Sequence, residues 1–279
     1  MSKILEKKVL QPNICEFTIE APVIAKKCES GQFVILHADE YSERVPMSIC
    51  DFNREAGTIV LVIQVEGNTT KHICEDFNAG DDLADVVGPL GTPFDMGYFG
   101  TVVVVGGGLG IAPIYTVARR YKKFGNRVIA IIGARNKDCL IWREKMEELC
   151  NEVIITTDDG SEGRQGYVTE ALADILKSEK IPLVMTIGPV AMMKSVADMT
   201  KKYGIHTLAS LNVIMLDGTG MCGGCRVLID GETKFACVDG PEFDAHKVDF
   251  ENLLNRRAMY NEAESEKYGC GGHCKCVEE

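Results

Sequence analysis

The sequence predicts an antiparallel β-barrel followed by an α/β unit, with a third, metal-binding segment at the C-terminal end. Three observations predict it. Residues 1–98 carry short apolar or alternating runs broken by Gly, Asn, Asp and Pro, the punctuation of a small antiparallel barrel. Residues 99–210 alternate buried apolar strands with amphipathic helical stretches, which implies a parallel sheet with helices on both faces. Residues 211–279 lose that periodicity and become rich in glycine and cysteine.

In the first unit the strand-like runs are KKVLQPNICEFTIEAP, GQFVILHA, RVPMSICDFN, GTIVLVIQVEG and DDLADVVGPLG. The joint GTPFDMGYFG is rich in Gly and Pro, as domain joints tend to be. In the second unit GTVVVVGGGLGIAPIYTVARRYKKFG predicts a buried strand, a glycine turn and an amphipathic helix. RVIAIIGAR, EVIITTDDG and PLVMTIGP predict further strands, with helices over 166–179 and 190–203. Beyond residue 211, CRVLIDGETKFAC predicts a hairpin turning at Asp230-Gly231, and NLLNRRAMYNEAESEKY a short helix. The remainder of that segment is expected to be loop.

Composition sets outer limits. A chain of 279 residues suits about two domains at ~150 residues each. Its formal net charge of −11 disfavours nucleic acid, whose phosphates demand cations. Charged residues open the chain without an apolar run behind them, so no signal peptide is expected. No apolar stretch nears the ~20 residues that span a bilayer. A cytoplasmic protein that avoids membranes is the expectation. The chain has twelve cysteines, which a reducing cytosol keeps as thiols. Those before residue 200 are scattered singly, as buried small side chains are. The others cluster near the C-terminus and suggest a metal.

Three constellations carry chemistry. Gly106, Gly107, Gly108 and Gly110 lie between the strand Val102–Val105 and the helix that opens at Ile111 and Ala112. Such a turn brings backbone N–H groups to a pyrophosphate at the positive end of a helix, although GGGLG departs from the GxGxxG order. Asp158 and Asp159 end another strand, where a carboxylate can hold a ribose diol and repel a 2′-phosphate. Gly188 and Pro189, followed by Met192, end a third. In the barrel, Arg44, Val45, Pro46, Met47 and Ser48 set a cation, a rigid turn and a hydroxyl within five residues, suited to phosphate or a ring oxygen. Gly67-Asn68-Thr69-Thr70 adds flexible backbone and hydroxyls. Taken alone, a surface arginine and ordinary turns explain these two segments better than a binding site does.

The third constellation is Cys222, Cys225 and Cys237 on glycine-rich loops, preceded by Asp217. A two-iron cluster takes four protein ligands. Asp217 stands where the fourth ligand of a C-x4-C-x2-C-x11-C pattern would fall. A structural zinc site accepts thiolates in the same arrangement, and a turn residue before Gly218 would also explain Asp217. In the tail, Cys270, His273, Cys274 and Cys276 could complete a metal site, close a redox disulfide or simply be an untethered end.

Taken in order, RVPMS, VVVVGGGLGIAP, TIGPVAMM and DGTGMCGGCR with its later Cys resemble the ferredoxin–NADP reductase superfamily. The resemblance runs to about Tyr260, in the branch containing dihydroorotate dehydrogenase electron-transfer subunits. LDGTGMCGGCRV is similar to the small subunits of NADH-dependent reduced ferredoxin:NADP oxidoreductases, also called sulfide dehydrogenases. The resemblance implies FAD in the barrel, held by Arg44 and Val45 to Ser48, by the strand Ile63, Gln64 and Val65, and by Gly67, Thr69 and Thr70. The family's phosphate turn usually reads Gly-Thr, so Thr69 is a departure. It implies NAD(H) on Gly106 to Gly110, Ile111, Ala112, Asp158, Asp159, Gly188, Pro189 and Met192. It implies a [2Fe-2S] cluster on Asp217, Cys222, Cys225 and Cys237. Asp217 matches the transhydrogenase branch rather than the all-cysteine dihydroorotate branch. Hydride passes between NAD(H) and FAD and single electrons through the cluster, with no protein acid–base residue required. The implied partner is a larger FAD and [4Fe-4S] subunit, with electron bifurcation between ferredoxin and NADP. Two other readings stand beside it: an electron-transfer subunit for dihydroorotate or for sulfide and polysulfide, and a non-catalytic zinc-binding assembly subunit.

Overall fold

A computed structural model describes residues 2–93 and 96–259. The C-terminal cysteines and His273 lie outside the described residues. The chain opens with β1 (Ser2–Gln11) and β2 (Ile14–Glu20), a hairpin turning at Pro12-Asn13. Next come α1 (Pro22–Lys27), β3 (Phe33–His37), β4 (Val45–Ser48), β5 (Asp51–Asn53), β6 (Thr58–Gln64), α2 (Asn68–Asp76), β7 (Asp82–Leu83) and β8 (Asp85–Leu90). The strands form two antiparallel sheets, ordered β5-β6-β2-β1-β7 and β4-β3-β8. Alternation explains why they close on each other. Phe17, Ile19, Ile59 and Leu61 point inward from one sheet and meet Val34 and Leu36 of the other, all fully buried.

The α/β unit runs β9 (Thr101–Gly107), α3 (Ile111–Lys123), β10 (Arg127–Ala134), α4 (Arg143–Leu149), β11 (Glu152–Thr157), β12 (Arg164–Gln165), α5 (Val168–Ser178), β13 (Leu183–Ile187), α6 (Val190–Lys202) and β14 (His206–Ser210). Val102 and Val104 of β9 pack toward α3 and α4, while Val103 and Val105 pack toward α5 and α6. A strand buried on both faces reads as a continuous apolar run for this reason. Burying each such side chain contributes about 1.5–3 kcal/mol.

The last described elements are β15 (Arg226–Ile229), β16 (Glu232–Phe235), β17 (Glu242–Asp244) and α7 (Phe250–Ala258). Asp230 and Gly231 both take positive φ, as the two-residue turn between β15 and β16 requires. β17 pairs antiparallel with β14, so the α/β sheet is ordered β12-β11-β10-β9-β13-β14-β17. The expectation of loop beyond the hairpin is therefore corrected. β17 is three residues long, and its partner lies far back in sequence, so no local pattern announces it.

Two points concern the barrel. The run RVPMSICDFN does contain a strand, residues 45–48, with Pro46 tolerated because β4 lies at the edge of its sheet, so the rigid turn expected within it is not formed. Gly67 to Thr70 is not flexible loop but the start of α2, with Gly67 as N-cap and the Thr70 hydroxyl accepting from the Gly67 N–H at 3.0 Å.

The units are fastened together. On α3, Arg119 pairs with Asp51 and Arg120 with Glu29 of the barrel. Ser30 Oγ donates to the Thr116 carbonyl at 2.8 Å, and Trp142 Nε1 donates to the buried Glu16 carboxylate at 2.6 Å.

Candidate functional site

The α/β sheet reverses its strand order between β9 and β13, with β10 and β11 on one side and β14 on the other. Open sheets of this kind bind ligands at the carboxyl ends beside that reversal. Gly106–Gly110 and Gly188-Pro189 lie there. The glycines divide into two roles. A Cβ on Gly110 would run into the Ile187 carbonyl, and one on Gly107 into the Met192 side chain. These two let the turns after β9 and β13 touch. Gly108 differs: its φ is +55° and nothing stands within 4 Å of where a Cβ would be. Its open backbone, ahead of α3, is a cradle that suits a pyrophosphate.

Asp158 and Asp159 follow β11 and are exposed. Asp159 Oδ1 accepts from the Ser161 hydroxyl at 2.7 Å and its amide at 2.9 Å, which holds the carboxyl below the ordinary aspartate range. Asp159 thus closes its own turn. Ser161 had no distinguishing signal in the sequence.

On the barrel, Arg44 is half exposed and lies 3.6 Å from Asp85. β4 pairs on one side only within its sheet, with β3, so its other edge faces away with Ser48 exposed. Thr69 is buried and its hydroxyl accepts from the Glu43 N–H at 3.1 Å. That ties the segment before Arg44 to the first turn of α2. Gly67 has open space around it, so a ligand phosphate has room at the amides of this helix start. A guanidinium, a helix start and an open strand edge fit a flavin nucleotide. Ile63, by contrast, is fully buried and packs within the barrel core.

The cysteine loop is built around three glycines with positive φ, Gly218, Gly220 and Gly223. Within it the Asp217 carboxylate accepts from the N–H groups of Thr219, Met221 and Cys222 at 3.1–3.2 Å. Cys222 Sγ lies 3.2 Å from Asp217 Oδ1, and Cys225 Sγ lies 3.2 Å from Cys237 Sγ. Desolvation opposes ionisation of Asp217, but hydrogen bonds from Cys222 and Thr219 outweigh it and hold the carboxyl at about 2. The Gly224 N–H donates to Cys222 Sγ at 3.4 Å. Two donor pairs, with one amide already turned toward a sulfur, fit a two-iron cluster. This loop sits on the barrel: a Cβ on Gly218 would strike Ile35 of β3 and Leu90 of β8. Thr92 Oγ1 donates to the Val238 carbonyl at 2.6 Å, beside Cys237.

Comparison with known proteins agrees with this layout. Residues 104–198 match the oxidoreductase NAD-binding domain. Residues 212–249 match the iron-sulfur cluster binding domain of dihydroorotate dehydrogenase B. The dihydroorotate dehydrogenase B (NAD(+)) electron transfer subunit homolog of Thermotoga maritima is 41% identical, over 96% of this chain and 94% of its own length. The corresponding electron transfer subunit of Streptococcus mutans is 31% identical over 88% of this chain and 96% of its own. A chain from the NADH-dependent reduced ferredoxin-NADP oxidoreductase structure, a flavin-based electron-bifurcating enzyme, superposes with a TM-score of 0.90 at 38% identity. That match covers 97% of this chain and 98% of that one.

Proposed function

This chain belongs to the family of dihydroorotate dehydrogenase B electron-transfer subunits within the ferredoxin–NADP reductase superfamily, and we propose that it works as the NADH-facing subunit of a bifurcating transhydrogenase. It is an oxidoreductase subunit of the flavin, iron–sulfur and NAD(H) type. When bound, the flavin exchanges hydride with the nicotinamide and single electrons with the cluster.

The protein's part is to hold three sites on one chain. We assign residues 1–98 to the flavin, 99–210 to the nucleotide and 211–279 to the cluster. Arg44 and the start of α2 would take the pyrophosphate of FAD, and the free edge of β4, with Ser48, its ring. Gly108 and the start of α3 would take the phosphates of NAD(H), with Gly188-Pro189 under the nicotinamide. Asp158 is the carboxylate left to meet the ribose, which favours NADH over NADPH. Asp217 with Cys222, and Cys225 with Cys237, would each hold one iron of a [2Fe-2S] core. A zinc ion needs four donors converging on one point, whereas paired donors suit two irons.

The observation that carries this reading is the seat of the cysteine loop. Gly218 packs on β3 and β8 of the barrel, while β17 of the same segment extends the α/β sheet. Asp217 supports the transhydrogenase assignment over a dihydroorotate one. The partner in this reading is a larger FAD and [4Fe-4S] subunit through which ferredoxin and NADP react, in the cytoplasm. Among the described residues no helix is long and apolar enough to cross a membrane. The test is cofactor content. The chain purified without oxygen should hold one FAD, two irons and two sulfides. Stoichiometric zinc with no flavin would favour the assembly-subunit reading instead.

A further inference from the structure

His72 lies on α2, in the turn after Thr69. Its Nε2 is 2.7 Å from Asp39 Oδ2 and its Nδ1 is 2.6 Å from Asp76 Oδ2. A neutral imidazole has one N–H and can satisfy one carboxylate; only the imidazolium donates to both. Asp76 belongs to the same helix. Asp39 belongs to the loop between β3 and β4, the loop that ends at Arg44.

That loop is organised from both ends. Asp39 Oδ1 accepts from the Tyr41 N–H at 3.1 Å, and Ser42 Oγ accepts from the N–H groups of Ala38 and Asp39 at 3.0 Å. At its far end the Glu43 N–H donates to Thr69. Helix α2 therefore grips the loop at two points, Thr69 next to Arg44 and His72 next to Asp39. Without the second grip, the Glu43–Thr69 hydrogen bond is the one that still joins the loop to α2.

We propose that His72 is a positioning residue for the flavin, an imidazolium that fastens the loop bearing Arg44 to α2 and makes FAD retention depend on pH. The inference rests on the reading of the barrel as the FAD site. Its groups are all in view. Asp39, Glu40 and Glu43 come from the loop, Lys71, Glu75 and Asp76 from the helix. The Phe77 ring stands edge-on to the imidazole at 5.3 Å, with Lys7 of β1 donating to the Phe77 carbonyl behind it. Lys71 pairs with Glu75 at 4.0 Å. Both groups on the ring nitrogens are acidic. Asp39 first and Asp76 second hold the histidine above its ordinary value.

The sign follows. A group whose value is raised in the fold contributes fully below the ordinary histidine value near 6.5 and loses its contribution as pH rises through the raised one. Above that point one ring nitrogen presents a lone pair to a carboxylate, the ring no longer holds helix and loop at once, and the grip on the loop bearing Arg44 weakens. The site is a third exposed, so the effect is modest and screened by salt.

The experiment titrates FAD into full-length apoprotein and follows flavin fluorescence from pH 6 to pH 9. Wild type should weaken by about three- to tenfold across that range, and less in high salt. His72→Gln keeps an N–H for Asp39 but does not titrate, so it should bind FAD with no pH step. His72→Leu should bind weakly at every pH, with cluster absorbance reporting that the rest is folded. Wild type and both variants sharing one affinity and one pH profile would overturn the role of His72. A wild type that binds no FAD at any pH would overturn the barrel assignment itself, and this inference with it.

Discussion

At the scale of single residues, Asp217 is the most distinctive choice in the chain. Three thiolates and one carboxylate make a donor set with one hard oxygen, and ligand identity sets cluster potential. Hydrogen bonds from the Thr219 and Cys222 amides fix the Asp217 carboxylate beside the Cys222 sulfur. Replacing it by cysteine should keep the cluster and move its midpoint potential by something on the order of tens of millivolts. Asp217→Ala should leave a labile cluster that loses iron on dialysis. Potentiometric EPR reads both; an unchanged potential and signal in Asp217→Ala would remove aspartate from the ligand set. This candidate donor set stands out in the sequence because it is local: Asp217, Cys222 and Cys225 fall within nine positions. The pairing of His72 with Asp39 was not legible, because it joins residues 33 apart that meet only once α2 packs on the barrel.

At the scale of elements, the glycine turn after β9 separates packing from binding. Gly110 lets α3 start against the Ile187 carbonyl, so Gly110→Ala must push two elements apart and should cost about 1–3 kcal/mol of stability. Gly108→Ala meets no atoms, only an unfavourable left-handed backbone, worth roughly 1–2 kcal/mol. It should instead weaken NADH binding more than it lowers stability. Urea unfolding and NADH titration of the two variants make the comparison, and equal effects on both properties would dissolve the division of roles. The parallel strands and their helices were readable because β9, β10 and β13 are apolar on both faces, a pattern that exposed strands do not carry. α2 was misread as flexible loop because it opens with Gly67-Asn68, residues that also favour turns, and tertiary packing decides between the two.

At the scale of the whole molecule, the barrel, the α/β unit and the cluster segment meet around Glu242 of β17. Its carboxyl packs on Gly31 of the barrel and is buried in the junction. Burial pushes it up to about 8, and neither carboxyl oxygen has a hydrogen-bond partner among the described residues. The unfolded chain ionises this group near 4.3. Stability should therefore fall as pH rises from about 4.3 through 8, because the unfolded state binds fewer protons there. Glu242→Gln should raise Tm by several °C at pH 8 and by little at pH 4.5, about the scale of a few kcal/mol in a chain this size. An equal gain at both values would show that charge is not the cause. This junction joins the segments proposed to hold nucleotide, flavin and cluster, and electrons are expected to pass among them within a single chain. The most direct measurement is an anaerobic titration of the purified subunit with NADH, followed by visible absorbance and low-temperature EPR. Bleaching of the flavin band together with the rhombic signal of a reduced [2Fe-2S] cluster, with NADPH far less effective, is the predicted result. A flavin that NADH reduces while the cluster stays oxidised and EPR-silent, at a potential low enough to reduce it, would contradict the account.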